Sequence, residues 1–147
     1  MKIIFLAHLF STLFMTGVIW FAQAVHYPLL SRVGNEVFVD YERENTRRTG
    51  WVVIPVMAVE LITALLLLWR LPEGLLPFYA WFNAGLLALI WISTFTLQGP
   101  YHNLLVKKFD LAVWRSLVRT NWIRTTAWTA RGILLLFVLS EVWPKRG

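Results

Sequence analysis

Cysteine is absent from the chain, so no disulfide, thiolate metal site or cysteine nucleophile can form. Charge is scarce as well: Asp, Glu, Lys and Arg make up 15% of the residues, against about 25% in an average soluble domain. The three histidines are widely spread and none belongs to a Glu-x-x-His pair, so no metal site is expected. In place of charge the 147 residues carry 58% apolar and 16% aromatic side chains, with a mean hydropathy of +0.59. That excludes a disordered tail, a disulfide scaffold and an ordinary soluble fold. A net charge of +6 invites a nucleic-acid reading. Such a footprint needs a soluble basic face, whereas these cations border apolar runs, and no nucleic-acid partner is expected.

A membrane helix needs about 20 mainly apolar residues to cross a hydrocarbon core of about 30 Å. Four stretches qualify: Ile3 to Val25, Trp51 to Trp69, Pro77 to Leu97, and Trp122 to Trp143. The expected architecture is an all-α integral membrane protein, a four-transmembrane-helix bundle forming one domain over residues 1–147. Lys2 and Ala22-Gln23-Ala24 give the first stretch a signal-peptide look, but its apolar run is too long for one and it reads as a retained span. Trp20, Trp51, Trp69, Trp122 and Trp143 fall near span ends, where indole rings favour the headgroup level. Leu71-Pro72-Glu73-Gly74 reads as a tight turn.

Four crossings put both termini and that turn on one side, with Lys2, Arg70, Lys145 and Arg146. The two long connections carry Arg32, Arg43, Arg47, Arg48, Lys107, Lys108, Arg115, Arg119 and Arg124 on the other. The excess of cations places the connections in the cytoplasm and the termini outside, in a membrane such as the bacterial inner membrane. Within the connections, Val33, Val37, Phe38 and Tyr41, then Leu105, Phe109, Val113 and Leu117, recur at helical spacing beside charged residues. Such stripes suit two helical connections lying in the membrane interface, or equally two helices capping the bundle.

Sliding the chain on itself by 76 residues lays His26 on His102, Arg43 on Arg119, Asn45 on Asn121, Arg48 on Arg124 and Thr49 on Thr125. Residues 26 to 49 give seven identities in 24 ungapped pairs, where random pairing gives about one or two. A parallel two-span repeat, with units 1–71 and 77–147, would place both histidines and both Asn-x-x-Arg-Thr pieces at one face of the bundle. There His26, Asn45, Arg48, His102, Asn103, Asn121 and Arg124 form a candidate binding cluster. Arginine offers planar paired donors to an oxyanion, and asparagine both donates and accepts. The plainer account has Asn45 and Asn121 capping helices while the arginines reach lipid phosphates. Glu60 and Arg131 are the informative charges inside the spans, at matched distances from that same face. They suit either a buried ion pair or the lining of a ligand cavity. His8 should hydrogen-bond to a neighbouring helix.

The segments Gln98-Gly99-Pro100-Tyr101-His102-Asn103-Leu104-Leu105 and Leu117-Val118-Arg119-Thr120-Asn121-Trp122-Ile123-Arg124-Thr125 resemble the anthrone-oxygenase-like group of small four-span membrane proteins. The resemblance covers about a quarter of the chain. It implies a four-helix membrane fold and oxidation of a hydrophobic polycyclic or quinone-like substrate. Pro100, His102, Asn103, Trp122 and Arg124 match the motif, and no catalytic role transfers with them.

Three functions compete. One is a binding protein or oxidase-like enzyme for a lipophilic molecule, which Glu60 and Arg131 facing an open cavity would favour. The second is an accessory subunit of a larger membrane complex, or a self-associating protein, which a closed bundle with outward aromatic stripes would favour. The third is an electron carrier whose haem b is held by His26 and His102.

Overall fold

The computed structural model describes residues 1–142; Trp143, Lys145 and Arg146, assigned above to the last span and its tail, lie outside the described residues. Four long helices make up the described chain: α1 (Lys2–Leu30), α2 (Asn35–Trp69), α3 (Pro77–Leu105) and α4 (Leu111–Val142). Each is long and apolar enough to cross a membrane. Large apolar side chains such as Ile3, Phe10, Trp51, Trp69, Phe78, Trp81 and Phe95 point outward along all of them. Each helix packs on the next in sequence and α4 closes the ring on α1, so α1 faces α3, and α2 faces α4, across the centre.

The connections are short for local reasons. Leu75 N–H donates to the Pro72 carbonyl at 3.1 Å, and Gly74 takes the left-handed φ of +79° that this turn requires. Pro77 opens α3, where a missing N–H costs nothing. Asp110 caps α4 by accepting from the backbone N–H groups of Ala112 at 2.8 Å and Val113 at 3.1 Å.

The two long connections are not separate helices lying in an interface. α2 runs unbroken from Asn35 past Trp51, and α4 from Leu111 past Trp122, so most of each polar stretch extends a span. Nothing between Glu36 and Thr49 breaks a helix, and pairs one turn apart support it: Arg47 and Arg48 reach Glu44 at 2.7 and 2.6 Å, and Arg43 reaches Asp40 at 3.1 Å. The apolar stripes belong to a cap. Phe38, Leu105 and Leu117 are fully buried with Tyr27 and Leu30, and the Phe38 and Phe109 rings meet at 4.8 Å. Nor do Asn45 and Asn121 cap helices, since each lies ten residues inside one.

Two further clusters follow below the cap. Met15, Ile19, Met57, Ile90, Ala127 and Trp128 fill the middle of the bundle, and Phe5, Leu9, Leu67, Leu135 and Val138 fill the end near the N-terminus. Gly132 brings α4 close to α1: a Cβ there would lie 3.3 Å from Leu13 and 3.5 Å from Thr16.

α1 and α3 each widen into one π turn, at Ala22–His26 and Thr94–Gln98. Pro28 and Pro100 stand two residues beyond these turns. A proline ring presses on the preceding turn and offers no N–H, and a wider turn relieves both. Each π turn sends a glutamine to α4: Gln23 donates to the Val118 carbonyl at 3.2 Å, and Gln98 donates to Thr120 Oγ1 at 3.2 Å. The bounds of α1 and α3 repeat at 75 residues, whereas the π turns and their prolines repeat at 72. His26 therefore ends its π turn while His102 lies a helical turn beyond the other.

Candidate functional site

Between the middle and lower clusters all four helices contribute to one buried polar network. Arg131 Nη1 donates to Glu60 Oε1 at 2.7 Å, across the diagonal from α4 to α2. Its Nε donates to Asn83 Oδ1 at 2.8 Å on α3, and its Nη2 reaches Thr12 Oγ1 at 3.2 Å and His8 Nε2 at 3.4 Å on α1. Trp128 Nε1 donates to both oxygens of Glu60, at 3.2 and 3.1 Å. His8 Nδ1 meets Thr63 Oγ1 at 2.8 Å, the inter-helix bond expected of it. Glu60 and Arg131 are both fully buried, and they meet as a pair instead of facing the cavity described next.

That cavity lies one level up, towards the cap. It encloses about 330 Å³, within the usual range for small-molecule pockets. Met15, Ile19, Val53, Met57 and the Trp128 ring form its apolar part. His26, Asn45, Gln98, His102, Asn103 and Arg124 form its polar wall. Several of its lining residues, Thr46, Thr49 and Ile54 on α2 and Asn103 on α3, are exposed, so the mouth opens between these two helices. Pro55 stands beside that mouth and cannot donate to the Trp51 carbonyl.

Asn45, His102 and Arg124 belong to one connected chain. Glu42, fully buried, meets His102 Nδ1 at 2.5 Å and also accepts from Asn45 Nδ2 at 3.0 Å. His102 Nε2 faces the Tyr27 hydroxyl at 3.4 Å, and that hydroxyl accepts from Arg124 Nη2 at 3.2 Å. Asn121 Oδ1 accepts from Arg124 Nε at 2.9 Å and Nη2 at 2.5 Å, while Asn121 Nδ2 donates to Gln23 at 2.8 Å. A proton on Nδ1 shared with the Glu42 carboxylate leaves Nε2 to accept from the Tyr27 hydroxyl. His26 lines the same cavity, and its Nε2 is buried without a hydrogen-bond partner.

The candidate residues thus separate into groups. His26, Asn45, His102, Asn103 and Arg124 share the cavity. Asn121 lies behind it, holding Arg124, while Arg48 stands exposed on the outer face of α2, bound to Glu44. Glu60 and Arg131 sit deeper, joined to the cavity through Trp128. His26 and His102 do share one end of the bundle, with ring centres 5.7 and 5.9 Å from that of Tyr27. They do not fit a bis-His haem, which needs a free nitrogen from each: both nitrogens of His102 are engaged and Tyr27 packs against both rings.

Sequence reasoning passed over Glu42, Tyr27, Gln23, Gln98 and Trp128. Glu42 had a readable signal, a carboxylate one helical turn after Phe38 on the buried stripe. Comparison of the chain with protein-family models, with characterised proteins and with solved structures finds no match.

Proposed function

We propose that the chain is an integral membrane protein that binds a lipophilic small molecule, quinone-like or polycyclic, between α2 and α3. The observation that supports this most strongly is the cavity itself: a chamber of about 330 Å³ lined by apolar side chains together with His26, Asn45, His102 and Arg124. Its mouth runs from the exposed apolar Ile54 to the polar Thr46 and Asn103, so a ligand could enter sideways from lipid with its polar end towards water. On this reading the helix extensions and cap face the cytoplasm of a bacterial cell, and both termini face out.

The chemistry available at the wall is binding and proton transfer. His102, oriented by Glu42, faces the Tyr27 hydroxyl through Nε2, so it can take a proton from a hydroxyl, or from a C–H beside a carbonyl, of a molecule in the chamber only where that molecule displaces the Tyr27 contact. That is the kind of step with which oxidation of an anthrone-like substrate would begin, in keeping with the family resemblance. An accessory-subunit role draws support from the outward aromatics Trp51, Trp69, Phe78, Trp81 and Phe95, and Glu60 and Arg131 do not face the cavity. The open chamber, however, departs from the closed bundle such a role would favour.

The test is purification in mild detergent followed by extraction and mass spectrometry of lipophilic small molecules. A compound enriched with the native chain and lost in a His102→Ala, Arg124→Gln variant that still folds is the expected result. Equal recovery from both proteins would overturn the reading.

A further inference from the structure

α4 carries two buried arginines seven residues apart, on one face of the helix, and they are treated differently. Arg131 has Glu60 against it at 2.7 Å. Arg124, 8% exposed, has no carboxylate within ion-pair distance among the described residues. Its four hydrogen bonds go to neutral oxygens: two to Asn121 Oδ1, one to the Tyr27 hydroxyl and one, at 3.4 Å, to Thr94 Oγ1. Guanidinium has five N–H groups, so one on Nη1 is left over. The nearby carboxylate, Glu42, is committed to His102 and Asn45. A buried cation without a counter-charge is costly, and proteins rarely keep one unless something neutralises it.

From this unpaired cation on a cavity wall that His26 also lines, we infer that the cavity's occupant ends in an oxyanion. The inference rests on the binding reading above and narrows it from any quinone-like or polycyclic molecule to one with an acidic head, a carboxylate, phenolate or phosphate. Arg124 supplies the charge and a planar donor pair. Asn121, fixed by Gln23, holds the guanidinium facing the chamber. The apolar chamber takes the body of the ligand.

Two fluorescent probes of one shape test this: 9-anthracenecarboxylate and 9-anthracenemethanol, titrated into the purified full chain in phosphatidylcholine nanodiscs. The carboxylate should bind about tenfold tighter or more, the difference between a charge-assisted and a neutral hydrogen bond. Arg124→Gln should erase the preference while still binding the alcohol, and Arg124→Lys should restore part of it. Equal affinity of the native chain for both probes would overturn the inference and leave the binding reading standing. Binding of neither would overturn both, and because this comparison uses the native chain it holds even if a variant fails to fold. Phosphatidylglycerol added to the nanodiscs separates two sources of the anion. Displacement of the carboxylate assigns it to a lipid headgroup, and no displacement assigns it to a small lipophilic acid.

Discussion

Replacing Glu60 and Arg131 by methionine, singly and together, probes the buried network where its arithmetic is clearest. Arg131→Met leaves the Glu60 carboxylate buried with Trp128 alone, and Glu60→Met leaves the guanidinium with Asn83, Thr12 and His8. Removing one member of a buried pair typically costs about 3–5 kcal/mol, so independent losses would add to about 6–10 kcal/mol. The double variant buries no orphan charge. Its chief penalties are the Trp128 N–H and the Asn83 carbonyl left without partners, at about 1–3 kcal/mol each. The midpoints, about 8 kcal/mol for the summed single losses and about 4 kcal/mol for the double variant, give an expected coupling of about 4 kcal/mol. Reversible unfolding in mild detergent across the four proteins measures it. Additivity within about 0.5 kcal/mol would refute the reasoning, because residues meeting at 2.7 Å cannot be independent.

Other expectations follow from the same geometry. Trp128→Phe keeps the ring in the cavity floor but removes the donor to Glu60, and should cost about 1–3 kcal/mol in the same unfolding assay. Gly132→Leu should destabilise the α1/α4 contact far more than Gly132→Ala, because the nearest side chain lies 3.3 Å from the added Cβ; comparable melting temperatures would contradict this. Gly99→Ala places a Cβ 3.1 Å from the Thr94 carbonyl and should disturb the second π turn, lowering the melting temperature without abolishing folding. Cysteine introduced at Arg47 or Lys107 should resist an impermeant thiol reagent in intact cells, and ready labelling of both would invert the proposed orientation.

Hydrophobic run length made the four long helices readable, since an apolar stretch of some 20 residues has few other uses. Matched depth made the Glu60–Arg131 pair readable, because nine residues from Trp51 and ten from Asn121 are nearly equal rises along two helices. Length could not show where the helices end. Trp51 and Trp122 mark the edges of apolar composition, while the backbone continues through Glu44 and Arg119, where the residues favour helix just as well. The 76-residue match brought His26 and His102 to one cavity, yet it gave Arg48 the same weight as Arg124. The difference lies in what each helix faces: Arg124 points inward to Tyr27 and Asn121, Arg48 outward to Glu44. Tyr27 and the two glutamines were hidden for another reason. Neutral polar residues within apolar runs carry no periodic signal, and their roles depend on π turns that shift the helix face they occupy.

The central claim is that the chamber between α2 and α3 holds a lipophilic molecule. Val53→Trp adds bulk to that chamber from α2 while leaving Glu42, His102, Arg124, Glu60 and Arg131 themselves unchanged. Native mass spectrometry of the chain released from mild detergent, beside this variant, tests the claim most directly. A bound small molecule seen on the native chain and missing from a folded Val53→Trp variant is the predicted result. A native chain that carries no small molecule, or one carried equally by both proteins, would contradict the account.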